Sequence, residues 1–173
     1  VQLNDGQTYC DECIAGLYMH NTQTACQPCP VGKFKNITGG TADDCQNCTA
    51  GKYSGETGER SIDTCTVCPE GKYSGAGAAA CELCPTGKYI EDDGTDASLH
   101  SQLGDCESCA FGELSDATRS KCSSCSPGQY TRNDEECRTC PMGTYAPVPL
   151  KDKCLDCSNG SFVNNYTAAT ECS

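Results

Sequence analysis

Apolar side chains fall in short scattered runs along this chain, and nowhere keep up the three-to-four-residue interval of an amphipathic helix, so no α-helix is predicted. A short word recurs instead. An aromatic residue stands two positions after a glycine at Gly16/Tyr18, Gly32/Phe34, Gly51/Tyr53, Gly71/Tyr73, Gly87/Tyr89, Gly128/Tyr130, Gly143/Tyr145 and Gly160/Phe162. The glycine supplies a positive φ or a close backbone approach, and the aromatic opens a short extended stretch. Gly-rich centres such as Ser54-Gly55-Glu56-Thr57-Gly58 return the chain as an irregular hairpin. After Gly112 the aromatic gives way to Leu114, and Phe111 is the candidate for the missing ring.

Cysteines set the same beat. Three residues before every such glycine stands the second cysteine of a C-x-x-C pair, the pairs beginning at Cys10, Cys26, Cys45, Cys65, Cys81, Cys106, Cys122, Cys137 and Cys154. Cys172 would begin a tenth. The chain therefore reads as one tandem array of C-x-x-C-x-x-G-x-(Tyr/Phe) repeats with a mean period of 18 residues. One such repeat cannot bury a core alone, so each is expected to stack on its neighbours. The fold expected is small and disulfide-rich: tandem irregular β-hairpin repeats stacked into an elongated rod, with little or no helix.

Composition says what holds such an array together. Leu, Ile, Val and Phe make up only 20 of 173 residues, whereas there are 19 cysteines. That is too little apolar surface for an ordinary core and enough cysteine for a covalent scaffold. Each bridge closing a loop of about 12 to 16 residues removes about 3 kcal/mol of unfolded-chain entropy. A net charge of -12 argues against nucleic acid and anionic membrane surfaces as partners. No run approaches the roughly 18 apolar residues of a membrane span. The opening Val1-Gln2-Leu3 is neither an initiator Met nor a signal peptide, so the sequence is read as a piece of a longer chain.

The runs Cys48-Thr49-Ala50-Gly51-Lys52-Tyr53-Ser54, Cys68-Pro69-Glu70-Gly71-Lys72-Tyr73-Ser74 and Cys84-Pro85-Thr86-Gly87-Lys88-Tyr89-Ile90 resemble the ephrin-receptor-like cysteine-rich repeats. More distantly they are similar to tumour-necrosis-factor-receptor modules and to C-x-x-C surface antigens of protists. The resemblance implies disulfide-bonded, extracellular, elongated modules without catalysis, and implies no particular ligand. It also implies first-to-third and second-to-fourth pairing in consecutive groups of four: Cys10–Cys26, Cys13–Cys29, Cys45–Cys65, Cys48–Cys68, Cys81–Cys106, Cys84–Cys109, Cys122–Cys137, Cys125–Cys140 and Cys154–Cys172. The alternative is a sequential ladder, Cys13 with Cys26, Cys29 with Cys45 and onward. One cysteine is left over either way, Cys157 or Cys10, and calls for a partner outside these residues.

Zinc is the rival to disulfides, because two C-x-x-C pairs some 15 to 20 residues apart form a four-thiolate ligand spacing. Tandem repetition at elastic intervals, acidity and glycosylation sequons all suit an oxidising compartment better. The sequons are Asn36-Ile37-Thr38 and Asn165-Tyr166-Thr167, which sit in roomy loops between pairs, and Asn47-Cys48-Thr49 and Asn159-Gly160-Ser161, which sit in tighter places. Glu91-Asp92-Asp93-Gly94-Thr95-Asp96 lies in the longest gap between pairs and matches a calcium loop poorly, so it reads as a solvated acidic insertion. The stretch from Ile90 to Asp105 is the best candidate for a contact surface. Neither His20 nor His100 has a catalytic context, and both read as surface residues; no cofactor is called for. The rings read as covers for the sulfur atoms.

Two functions remain. The first is a non-catalytic structural segment of an extracellular glycoprotein: a rod, stalk, surface coat or filament element whose partners are covalent glycans and other copies or another extracellular protein. The second is a ligand-binding ectodomain of a cell-surface receptor.

Overall fold

A computed structural model describes residues 12–20, 25–133, 135–158 and 168–172. It divides into two compact units, Val1–Glu82 with Asp92–Asp105 and Leu83–Glu91 with Cys106–Ser173.

Every repeat whose turn lies among the described residues begins with a tight turn. In Pro30-Val31-Gly32-Lys33 the Lys33 N–H donates to the Pro30 carbonyl at 3.2 Å, and Gly32 takes φ 73°, which makes the turn type II and explains the glycine. The same bond closes the turns ending at Leu17, Lys52, Lys72, Lys88, Glu113, Gln129 and Thr144. Past the turn, the two residues ending in the aromatic form a strand antiparallel to the two residues inside the next C-x-x-C pair. Lys33–Phe34 lies against Gln46–Asn47, and Lys52–Tyr53 against Thr66–Val67. The second unit repeats this with Lys88–Tyr89 against Glu107–Ser108 and Thr144–Tyr145 against Leu155–Asp156. One sheet there has three strands, Gln129–Arg132 pairing antiparallel with Glu136–Thr139 and parallel with Leu150–Lys151. Helical structure among the described residues is confined to the 3-10 turns Ala42–Asp44, Ile62–Thr64, Ala97–His100 and Leu103–Asp105.

The repeat glycine is also the joint between repeats. Gly16, Gly32 and Gly51 each donate at 2.8 Å to the carbonyl of the residue after the next aromatic, Lys35, Ser54 and Ser74. Their own carbonyls accept from Cys29, Cys48 and Cys68 at 2.8 to 2.9 Å. In the second unit Gly128 donates to Ala146 at 2.7 Å and accepts from Cys140 at 2.9 Å. Contacts extend further than the neighbour-only expectation. A side chain at Gly32 would strike the backbone of Gly77 and Ala78, and one at Gly51 that of Ala97, each two repeats on.

Half-cystines dominate the core, with Cys13, Cys29, Cys48, Cys68, Cys84 and Cys106 all at most 2% exposed. The second core position is the residue after the aromatic, buried at Lys35, Ser54, Ser74, Ile90, Thr131 and Ala146. The Lys35 ammonium donates to the Leu17 and Ile37 carbonyls at 3.0 Å each and to the Gly39 carbonyl, so its charge is buried among backbone acceptors. Rings cover sulfur only in places. Phe34 packs on Cys48 and Cys65, and Tyr130 on Cys140 and Cys154, each on the bridge of the following repeat. Tyr73 and Tyr89 instead stay half-buried, their hydroxyls donating to Glu82 at 2.9 Å and Glu107 at 3.2 Å. Phe111 does not replace the missing ring: it is 82% exposed, at the tip of its turn, and Leu114 fills the strand position opposite Ser123.

Candidate functional site

The chemistry of this chain is concentrated in its sulfur. Nine bridges form: Cys13–Cys26, Cys29–Cys45, Cys48–Cys65, Cys68–Cys81, Cys84–Cys106, Cys109–Cys122, Cys125–Cys137, Cys140–Cys154 and Cys157–Cys172. This is the sequential ladder, and it overturns the pairing implied by resemblance. None of Cys10–Cys26, Cys13–Cys29, Cys45–Cys65, Cys48–Cys68, Cys81–Cys106, Cys84–Cys109, Cys122–Cys137, Cys125–Cys140 or Cys154–Cys172 is made. The hairpins give the reason. Each described hairpin starts at the second cysteine of one pair and ends at the first cysteine of the next, and strand pairing brings those two Cα atoms to between 5.6 and 5.9 Å, the span of a disulfide. The two residues inside a C-x-x-C pair are extended strand, so its cysteines face different hairpins. Cys10 lies outside the described residues.

The long insertion is built as part of the scaffold. His100, expected at the surface, is 0% exposed. Its Nδ1 meets the Lys72 carbonyl at 2.5 Å and its Nε2 the Asp92 carboxylate at 3.0 Å. The ring is thus clasped between a backbone carbonyl and a carboxylate. Asp92 also accepts from the Gly94, Thr95 and Asp96 amides at 3.0 to 3.2 Å. The bond from His100 first, and the Asp96 amide next, hold this carboxyl down at about 2, against the opposing effect of burial. The His100 carbonyl in turn accepts the Ser74 N–H at 2.8 Å, so the insertion supplies the acceptor that Glu59 supplies to the Lys35 N–H at 2.9 Å and Ala78 to the Ser54 N–H at 3.2 Å. Asp92 is thus saturated by protein donors. No group of three or more His, Cys, Asp or Glu side chains is placed to hold a metal ion among the described residues. Leu99 and Leu103 are the apolar side chains the insertion exposes, at 49% and 48%.

Of the four sequons, Asn36 is exposed in the loop after Lys35, and Asn47 is exposed on the strand Gln46–Asn47, its side chain beside Gly77. Asn159 and Asn165 lie outside the described residues.

With this geometry in view, the matched family is informative. Residues 16–65 match the family model described as tyrosine-protein kinase ephrin type A/B receptor-like. Over that stretch the chain is similar to ephrin-receptor-like cysteine-rich repeats. The ephrin-receptor-like match runs from the turn at Gly16 to Cys65 and contains the Cys29–Cys45 and Cys48–Cys65 bridges, and the same turn, strand and bridge continue beyond it to Cys154. An ephrin-receptor-like, disulfide-bonded region is of an extracellular, receptor type. No curated protein matches the chain. No helix among the described residues is long and apolar enough to cross a membrane.

Sequence reasoning missed two features of this site. One is the core position after the aromatic, whose only signal is a run of small or singular residues, Ser54, Ser74, Thr131 and Ala146 beside Lys35 and Ile90. The other is His100, whose burial depends on a loop closing over it.

Proposed function

We propose that this chain is a non-catalytic structural segment of a secreted or cell-surface glycoprotein, serving as a rod, stalk, surface coat or filament element. One observation carries the reading: the same turn and the same bridge recur from repeat to repeat, with the glycine joint repeated at Gly16, Gly32, Gly51 and Gly128, so the special property of the chain is the array itself. Its partners are further copies or another extracellular protein, and exposed Asn36 is the favoured glycan acceptor, followed by Asn47. The receptor-ectodomain reading draws support from the ephrin-receptor-like match and from exposed Leu99 and Leu103 on the insertion.

Intact mass after thiol blocking without reduction, combined with electron microscopy of native material, tests the proposal. Almost no alkylation, excess mass released by glycosidase, and extended assemblies are expected. Extensive alkylation, or isolated short particles at high concentration, would overturn it.

A further inference from the structure

The bridges are not equally protected. Among the described half-cystines Cys137 alone is exposed, while its partner Cys125 is 5% exposed. Their loop has a sequence separation of 12, the shortest of the nine, so this bridge confers the least loop-closure entropy. It is also the one beside an unused hydroxyl. Thr131 is 0% exposed, its Oγ1 has no hydrogen-bond partner, and its backbone faces Cys137 across the antiparallel ladder. Thr131 follows Cys125 by six residues, as Ser74 follows Cys68. At that earlier repeat the Ser74 hydroxyl lies 3.2 Å from Cys68 Sγ and donates to the Lys52 carbonyl at 3.1 Å. Thr131 has neither contact.

We infer that Cys125–Cys137 is a thiol-exchangeable disulfide whose reduced form is stabilised by Thr131. A small thiolate attacks Cys137 Sγ, the S–S bond breaks, and its electron pair leaves on Cys125 Sγ, giving a mixed disulfide on Cys137 and a thiolate on Cys125. A second thiolate then displaces Cys137 Sγ, so two thiols are oxidised to one external disulfide as the bridge takes up two electrons. The buried Thr131 hydroxyl, without an acceptor while the bridge is closed, gains one in the Cys125 thiolate. Four paired residues between Gln129–Arg132 and Glu136–Thr139, and the parallel strand Leu150–Lys151, hold the hairpin while the bridge is open. Opening is therefore local and reversible.

The test treats the native chain with reduced glutathione, quenches with N-ethylmaleimide at intervals, and locates the label by peptide mass spectrometry. Cys125 and Cys137 are expected to react at least about tenfold faster than Cys29, Cys45, Cys48 and Cys65, with glutathione first on Cys137 and the far-ultraviolet spectrum unchanged. In T131V the extent of opening at fixed glutathione is expected to fall by about tenfold, the worth of one hydrogen bond to a charged acceptor. Even labelling of all bridges, or earlier labelling of another, overturns the site. Unchanged opening in T131V overturns the role of the hydroxyl.

Discussion

Replacing Gly32 by alanine probes the joint on which the stack depends, and Gly143 supplies its control. Both glycines sit in the left-handed region, Gly32 at φ 73° and Gly143 at φ 78°. Placing an L residue there costs about 1–2 kcal/mol. A new methyl at Gly32 would also fall on the Gly77 carbonyl, 2.5 Å from its carbon, and 2.9 Å from the Ala78 carbonyl carbon, all of it backbone. Such overpacking adds about 1–3 kcal/mol. The turn that must shift carries the 2.8 Å bond from the Gly77 N–H to the Cys48 carbonyl, worth about 1 kcal/mol. Around Gly143 nothing lies within 4 Å among the described residues. Stiffening of the unfolded chain returns about 0.5–1 kcal/mol in both variants. The net expectation is a loss of about 2–5 kcal/mol for G32A and about 1 kcal/mol or less for G143A. Urea unfolding under non-reducing conditions, followed by fluorescence of the eight tyrosines in this Trp-free chain, measures both. Equal midpoint shifts would refute the argument that contact across two repeats selects the glycine.

The Asp92–His100 clasp makes stability pH-dependent in a defined direction. Because Asp92 is held near 2 from its ordinary 3.8, its contribution is complete above about pH 4 and is lost as pH falls towards 2. D92N should lower the melting temperature at pH 6 and flatten its fall between pH 4 and 2, whereas curves parallel to wild type would dismiss the clasp. Reduction with excess phosphine should abolish the circular dichroism signature of the hairpins, and EDTA should leave it intact. Unfolding by EDTA alone would return the cysteines to zinc.

Much of the fold was legible because a repeat states its grammar many times over. A single Gly32 says little, but a glycine three residues past each second cysteine specifies a turn, and the aromatic after it a strand. The bridging pattern was not legible, because spacing alone fits both schemes; what decides it is the direction in which Cys45 and Cys48 face from one short strand, a property of paired backbone. The insertion misled for a different reason. Glu91, Asp92, Asp93 and Asp96 read as solvated from their charge, yet Asp92 is bound to a histidine eight residues away and to three local amides. Charge patterning does not report which carboxylate finds a buried ring.

The ladder also decides how a pull or a cut travels through the molecule. From Cys13 to Cys172 each stretch between the second cysteine of one pair and the first of the next is bypassed by its own bridge, and the backbone left without a bypass is eight two-residue links inside the C-x-x-C pairs. A peptide bond severed within a hairpin leaves both fragments tethered. Under tension the load crosses a bridge of 5.6 to 5.9 Å between Cα atoms and then one short link, so each rung extends to about 16 Å at most. An unbridged period would reach roughly four times that length. Mechanically the chain is a strap whose slack is stitched out of the line of force.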